Sequence, residues 1–269
     1  MTVTGTIPAD SLVTIRDHYL VPTVLAPFAD EMARRLSRIS IGPLLETCAD
    51  TGILTQAIAS AVSAGMTIIA TDASPEKVGR ASKKPGMARV TWQTADPCAL
   101  PFPAGTFGIV TNHFSVATSP DRARAFHEAR RVMKTGGRFV FSVPGHLRHN
   151  PVASCVQNAM DDLFPVDPPR FVKHVFHGNA DNDVVDDDLT EAGFTDAIYT
   201  IVDLPYAAAS ARDAAMGYCL GTPLRLEIEA RPPAEAGHVT RAVAAALEKC
   251  FGTGPITTTM RAHIVSASG

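Results

Sequence analysis

The 269-residue chain is 46% hydrophobic and 19% charged, the balance of a soluble globular protein, which excludes a disordered chain. Its 24 Lys+Arg against 27 Asp+Glu leave a net charge of −3, which argues against a nucleic-acid partner, because such binding needs a cationic face. No apolar run approaches the roughly 20 residues of a membrane span, so the expectation is a chain with one sizeable core and no membrane partner.

From Asp10 to Ile39 the residues Leu12, Ile15, Tyr19 and Leu20, then Leu25, Phe28, Met32 and Leu36, recur at helical spacing, with breaks at Pro22 and Pro27. From Gly42 short apolar runs alternate with helices. Pro43 to Cys48 is a strand leading into a helix that carries Ile53, Leu54, Ala57, Ile58, Ala61 and Val62 on one face. Met66 to Ala70 is a second buried strand. Ser74-Pro75-Glu76 then starts a helix with a capping hydroxyl, a proline and a first-turn acid. Arg89 to Gln93 and Gly108 to Thr111 are further strands, separated by the turn-rich PFPAG. Ser119-Pro120-Asp121 opens a helix with Phe126, Ala129 and Met133 on one face, closed by Gly136-Gly137, and Arg138 to Val143 is the next strand. This β-α repetition predicts a parallel sheet with helices on both faces.

After Pro144 the pattern breaks. Residues 145–180 carry Phe164, Pro165, Pro168, Pro169, Phe171 and Phe176 and read as an insertion or lid. A helix at 187–192, a strand around 197–202, helical stretches at 208–219 and 238–251 and a strand at 256–265 complete the chain. The five cysteines (48, 98, 155, 219 and 250) are odd in number and lack CxxC spacing, so they read as reduced thiols of a cytoplasmic protein, not as disulfides or a zinc site. The opening MTVTGTIPADS has neither the basic nor the apolar region of a signal peptide. The acids Asp181, Asp183, Asp186, Asp187 and Asp188 lack the glycine and final glutamate of a calcium loop and read as a solvated helix start, so no metal is expected.

In a doubly wound sheet, ligands bind at the carboxyl ends of the strands. The first strand ends in Glu46-Thr47-Cys48-Ala49-Asp50-Thr51-Gly52, where small residues let the backbone approach a ligand at a helix N-terminus. The second ends in Asp72, placed to bind both hydroxyls of a ribose, and the third leads to Ala95-Asp96-Pro97. Acids on three successive strand ends suit a nucleoside with a ribose, an exocyclic amine and a cation. Each also has a plainer reading: Glu46 as a paired strand-end acid, Asp72 as an acid before a helix cap, Asp96 as the cap of its own turn. His113, after the fourth strand, is either the general base of the site or a packed histidine.

The stretches LLETCADTGILT, ATDASPEKV, VTWQTADPCALPFPAGTFGIV and EARRVMKTGGRFVFSV resemble four successive motifs of the class I S-adenosylmethionine-dependent methyltransferases, in order and at that family's spacing. The nearest group is the type-11, ubiquinone/menaquinone-biosynthesis-like set of small-molecule enzymes, which DHYLVPTVLAPFADEM, LTEAGF and MRAHIVSAS also resemble. The resemblance implies a Rossmann-like, doubly wound, mostly parallel seven-stranded α/β sheet with an N-terminal helical cover and an inserted cap. The chain reads as one domain with a cover (1–40), a cofactor-binding core (41–144), a cap (145–185) and a substrate-side remainder (186–269). The cofactor implied is S-adenosyl-L-methionine. Asp72 then binds its ribose, Ala73 flanks the adenine, Asp96 beside Pro97 accepts from the adenine amine, and Asn112 and His113 face the methionine part and its methyl. Tyr19 would close over the cofactor.

The sequence departs from that family at two places. Its acid-x-Gly-x-Gly-x-Gly pattern, often with Ala first, is here Glu46, Cys48, Asp50 and Gly52, and Gly108 stands where an Asp usually follows the Phe. Asp50 would attract the cofactor's ammonium and repel its carboxylate, each by roughly 4 kcal/mol at 4 Å before screening. If its backbone needs positive φ, Asp tolerates this better than most residues. The implied activity is methyl transfer to a small apolar or aromatic molecule. The alternative is a protein of the same fold that has lost donor binding and serves as a ligand-binding or partner module. No oligomeric state follows from the sequence.

Overall fold

Three strands of the sheet are built from residues buried on both faces, as a parallel sheet covered by helices requires. In the computed structural model, which describes residues 9–119, 121–178, 182–232 and 235–269, these are β1 (Leu44–Glu46), β2 (Ile68–Asp72) and β4 (Phe107–His113). β3 (Val90–Thr94), β5 (Met133–Pro144), β6 (Ile198–Ala208) and β7 (Ile256–Ser268) complete a seven-stranded sheet of order β3-β2-β1-β4-β5-β7-β6. β1, β2, β3, β4 and β5 pair in parallel, whereas β7 runs antiparallel to β5. The strand order reverses beside β1, so the carboxyl ends of β1 and β4 flank the switch point where such sheets bind ligands.

The helices follow their local signals. α1 (Ala9–Ile15) runs into a π-helical segment (Arg16–Leu25) with Pro22 inside it, and α2 (Ala26–Leu36) follows. The wider π turn takes up the proline that the sequence reads as a break. Gly52 leads α3 (Ile53–Ala61), and Ser74 caps α4 (Pro75–Ala81), its Oγ accepting from Lys77 N at 3.3 Å. Asp121 caps α5 (Arg122–Val132), accepting from Arg124 N. α5 ends before Met133, and Gly136-Gly137 lie inside β5 instead of closing the helix. Residues 145–180 hold α6 (Pro151–Leu163), with Pro151 in its first turn, and a second π-helical segment (Phe171–Phe176). α7 (Asn182–Glu191), α8 (Ala211–Leu220), α9 (Leu224–Glu229) and α10 (Ala236–Phe251) follow.

The chain divides into two compact units. One comprises Ala26–His146, Phe176–Asp203 and Arg261–Gly269; the other comprises Met1–Leu25, Leu147–Val175 and Leu204–Met260. In the first, Leu45, Val110, Phe139, Phe141 and Val143 of the sheet pack with Phe126, Ala129 and Val132 of α5 and Val185 and Leu189 of α7. Neighbouring register pairs, Leu45 with Val110 and Val110 with Phe139, place these side chains on one face. Each such ring or aliphatic chain removed from water contributes roughly 1.5–3 kcal/mol. The acidic run is used locally: Tyr199 donates to Asp186 at 2.6 Å and Arg122 pairs with Asp188, while Asp181 lies outside the described residues. The second unit is helical. Gly217 of α8 passes so close to Tyr19 that a Cβ would lie 3.3 Å from its carbonyl, and the Sγ atoms of Cys155 and Cys250 stand 2.7 Å apart. All five cysteines are free.

Candidate functional site

The loop after β1 is held by its own backbone. Thr47 N donates to Thr111 O, Ala49 N to Thr71 O, and Asp50 N to Asp72 Oδ2 at 2.9 Å. The other Asp72 oxygen accepts from Ser74 N, also at 2.9 Å, so this buried carboxylate ties the β1 loop to the β2 end and the start of α4. Each oxygen keeps a second lone-pair direction. Cys48 (φ 55), Asp50 (φ 50) and Gly52 (φ 76) all sit in the left-handed region. Cys48, small enough to look interchangeable with glycine, therefore carries backbone strain of about 1 kcal/mol or more, as does Asp50. The Asp50 carboxylate pairs with Lys77 at 2.9 Å, which offsets its charge.

Gly52 is demanded by the protein's own packing. A Cβ would lie 3.1–3.2 Å from Ala81, Met87 and Trp92, in addition to the positive φ. Beside it, the Thr51 hydroxyl is buried and bonds to no described residue. Glu46 takes the paired strand-end arrangement: Thr55 Oγ1 donates to it at 2.6 Å, and burial pushes its carboxyl up to about 8, with Asp72 adding to the rise. Burial likewise pushes the Cys48 thiol up to about 12, so it is no thiolate nucleophile at neutral pH. Asp96 is exposed and closes its own turn, Oδ1 accepting from Cys98 N at 2.8 Å, with Pro97 between them; Ala73 is exposed beside Asp72.

The β4 and β5 ends differ in kind. Asn112 is buried and spends its amide on β1, donating to Thr47 O at 3.1 Å and Thr47 Oγ1 at 3.2 Å. His113 Nδ1 pairs with the buried Ser142 Oγ at 2.7 Å, and its ring stacks on Phe114 with centroids 4.3 Å apart. Phe114 is left-handed (φ 57), an unusual conformation for an aromatic residue and one that structures keep where the surroundings impose it. Ser142 imposes it here, its Oγ and carbonyl both accepting from Phe114 N at 3.2 Å. Phe28 and Phe176 meet Phe114 edge-on at 5.5 and 5.7 Å, and His177 lies edge-on to Phe176 at 5.2 Å.

The sheet unit thus gathers Glu46, Cys48, Asp50, Gly52, Asp72, Ala73, Asp96, Pro97, Asn112 and His113 at the carboxyl edge, while Tyr19 belongs to the helical unit. Gly108, at the opposite end of β4, has a packing cause: a Cβ would stand 2.4–2.6 Å from Ile41. The sequence assigns no role to Thr51, Ser142, Phe114 or His177. A serine in a strand and a histidine in a proline-rich stretch carry no periodic signal. Among the described residues, no group of three or more His, Cys, Asp or Glu could hold a metal, and no helix is long and apolar enough to cross a membrane.

Residues 45–141 match the family described as "Methyltransferase domain". In sequence, the chain is 36% identical over 111 residues to the ubiquinone/menaquinone biosynthesis C-methyltransferase UbiE of Geotalea uraniireducens, covering 38% of this chain and 47% of that protein. This chain therefore spans about half the length of the curated relatives it matches. Its fold is that of the YcgJ protein of Bacillus subtilis (TM-score 0.58, 16% identity, 90% of this chain and 98% of that one). It is also that of the Haemonchus contortus phosphoethanolamine N-methyltransferase 2, solved with phosphomonomethylethanolamine and S-adenosylhomocysteine (TM-score 0.61, 12% identity, 98% and 58%).

Proposed function

Because residues 45–141 carry the methyltransferase domain of the class I, type-11 group, we propose that this protein transfers a methyl group from S-adenosyl-L-methionine to a small apolar or aromatic molecule. The observation that carries this reading is the Asp50–Asp72 bond, which brings the β1 loop and the β2 acid to one place at the sheet's switch point. The buried, unpartnered Thr51 hydroxyl beside it supports a polar ligand there, and so do the unused lone pairs of Asp72. The residues fit the cofactor. Asp72 would hold the ribose hydroxyls, Asp96 the adenine amine, Ala73 and Pro97 the adenine faces, and the loop of Glu46, Cys48, Asp50 and Gly52 the amino-acid end.

When bound, the cofactor supplies a methyl group activated on a sulfonium. The chain's own contribution is to orient and to exclude water. Asn112 fixes the distance between the β1 and β4 ends by bonding to Thr47, and the rings of Phe28, Phe114 and Phe176 offer an apolar wall for the acceptor. His113, oriented by Ser142, would take the proton where the acceptor is a hydroxyl. The Lys77 pair on Asp50 weakens the case for lost donor binding, since it offsets the charge that suggested it.

Calorimetric titration with S-adenosylmethionine and S-adenosylhomocysteine tests the reading. Micromolar binding of both is expected. The absence of heat up to millimolar concentration would overturn it.

A further inference from the structure

Two thiols far apart in the sequence meet in the helical unit. Cys155 lies in the first half of α6 and Cys250 in the last turn of α10, 95 positions away, and their Sγ atoms stand 2.7 Å apart. α6 and α10 pack against each other. Each buries an apolar stripe, Val152, Val156 and Met160 on the first and Val243 and Leu247 on the second, so the two sulfurs are held together by packed helices and not by a loop. The cysteines differ in access: Cys155 is buried and Cys250 is exposed. Burial pushes the Cys155 thiol up to about 12, with Cys250 adding to the rise, so Cys155 keeps its proton at neutral pH and a reagent from solvent meets Cys250 first. Among the described residues no third His, Cys, Asp or Glu joins the pair in a metal-binding group, which leaves sulfur chemistry as its use.

We propose that Cys155 and Cys250 form a reversible dithiol–disulfide pair, closed by a small-molecule disulfide of the glutathione class, and that the closed form staples α6 to α10. The Cys250 thiolate attacks one sulfur of the oxidant, which forms a mixed disulfide and releases one glutathione thiolate. Cys155 Sγ then attacks Cys250 Sγ, the mixed bond breaks and the second glutathione leaves. Two protein thiols are oxidised, one glutathione disulfide is reduced to two thiols, and the two cysteine protons end on the two glutathione sulfurs. Capture of Cys250 as the mixed disulfide removes its charge from beside Cys155, which eases the ionisation that the second step needs. The sulfurs of a disulfide lie about 2.05 Å apart, so closure asks for a small approach of two side chains already in contact. A link across 95 positions closes a long loop, the case in which a disulfide restrains the unfolded chain most. The proposal does not depend on the methyltransferase reading, because neither cysteine belongs to the site at the sheet's switch point.

The test uses the full chain, reduced and desalted, then equilibrated with oxidised glutathione and quenched with an alkylating agent in denaturant. The count of titratable thiols should fall by two. After trypsin, the peptides 149–170 and 250–261, each carrying one of the two cysteines, should run as one species two hydrogens lighter than their sum. Dithiothreitol should restore both. This peptide map needs no variant to fold. Oxidised wild type should melt about 5–10 °C above the reduced protein, and Cys250→Ser should lack that shift. An unchanged thiol count, Cys250 halted as the glutathione adduct, a link between two copies of the chain, or a link of another pair such as Cys48 with Cys98 would each overturn the proposal. So would a linked protein that melts no higher than the reduced one.

Discussion

At the β1 and β2 ends the acids are spent on the protein itself: Asp72 on two backbone N–H groups, Glu46 on Thr55, Asp50 on Lys77. At the β4 and β5 ends, aromatic rings crowd together and a buried imidazole nitrogen has no described hydrogen-bond partner. Two kinds of left-handed residue mark the two regions, Cys48 and Asp50 in the first and Phe114 in the second. The difference is one of chemistry. Acids buried near the switch point must be satisfied internally to exist there at all, whereas apolar rings are held by packing and ask for no polar partner.

The largest test of this contrast is Gly52→Ala. Its Cβ would meet Ala81, Met87 and Trp92 at a positive φ, so denaturant unfolding should show a loss of about 3 kcal/mol. A loss below about 1 kcal/mol would mean the first region is not held by its own packing. Next is Asp72→Asn, which turns one acceptor into a donor facing a backbone N–H. Stability should fall by about 2 kcal/mol and S-adenosylmethionine affinity roughly tenfold. A stability loss with unchanged affinity would confine Asp72 to the loop.

The pH profile sharpens the comparison further, because the two regions pull in opposite directions. Glu46 is raised from 4.5 to about 8, so the folded state holds its proton where the unfolded chain has lost it, and stability falls as pH rises between these values. His177 is lowered from 6.5 to about 4, so its contribution is complete above 6.5 and is lost as pH falls towards 4. The slopes oppose below 6.5, and above it Glu46 acts alone, costing roughly 1 kcal/mol per pH unit up to about 8. Thermal melts of Glu46→Gln should lack that fall, and a fall that persists would reassign it. The smallest effect is Asp50→Gly. Relief of the left-handed backbone and loss of a partly exposed ion pair should cancel to within about 1 kcal/mol.

Much of the sheet was legible. Leu44–Glu46, Ile68–Asp72 and the 138–143 part of β5 lie on the runs that apolar texture marks, and Ser74-Pro75-Glu76 starts its helix as the capping chemistry dictates. The helix Pro151–Leu163 was not, because the prolines and aromatic residues that follow it masked its helical spacing of Val152, Cys155, Val156 and Met160. Gly136-Gly137 read as a helix stop, yet pairing with β4 drew that segment into a strand, a tertiary demand overriding a local signal. In the site, the three strand-end acids were legible as acids, but their partners were not. Whether Asp72 faces a ribose or its own backbone turns on a bond to a residue 22 positions away.

The sequence by itself determined the alternation of strands and helices over residues 42–144, the acids at the ends of β1, β2 and β3 and the resemblance to one methyltransferase group, because periodicity, caps and motif spacing are local properties of the chain. Only the tertiary structure decided that Lys77 pairs with Asp50, that Gly108 makes room for Ile41, that three separated segments form one helical unit and that Nε2 of His177 is buried beside Phe176. Each of these is a contact between residues distant in the chain. Packing sets such contacts, and no window of neighbouring residues encodes them.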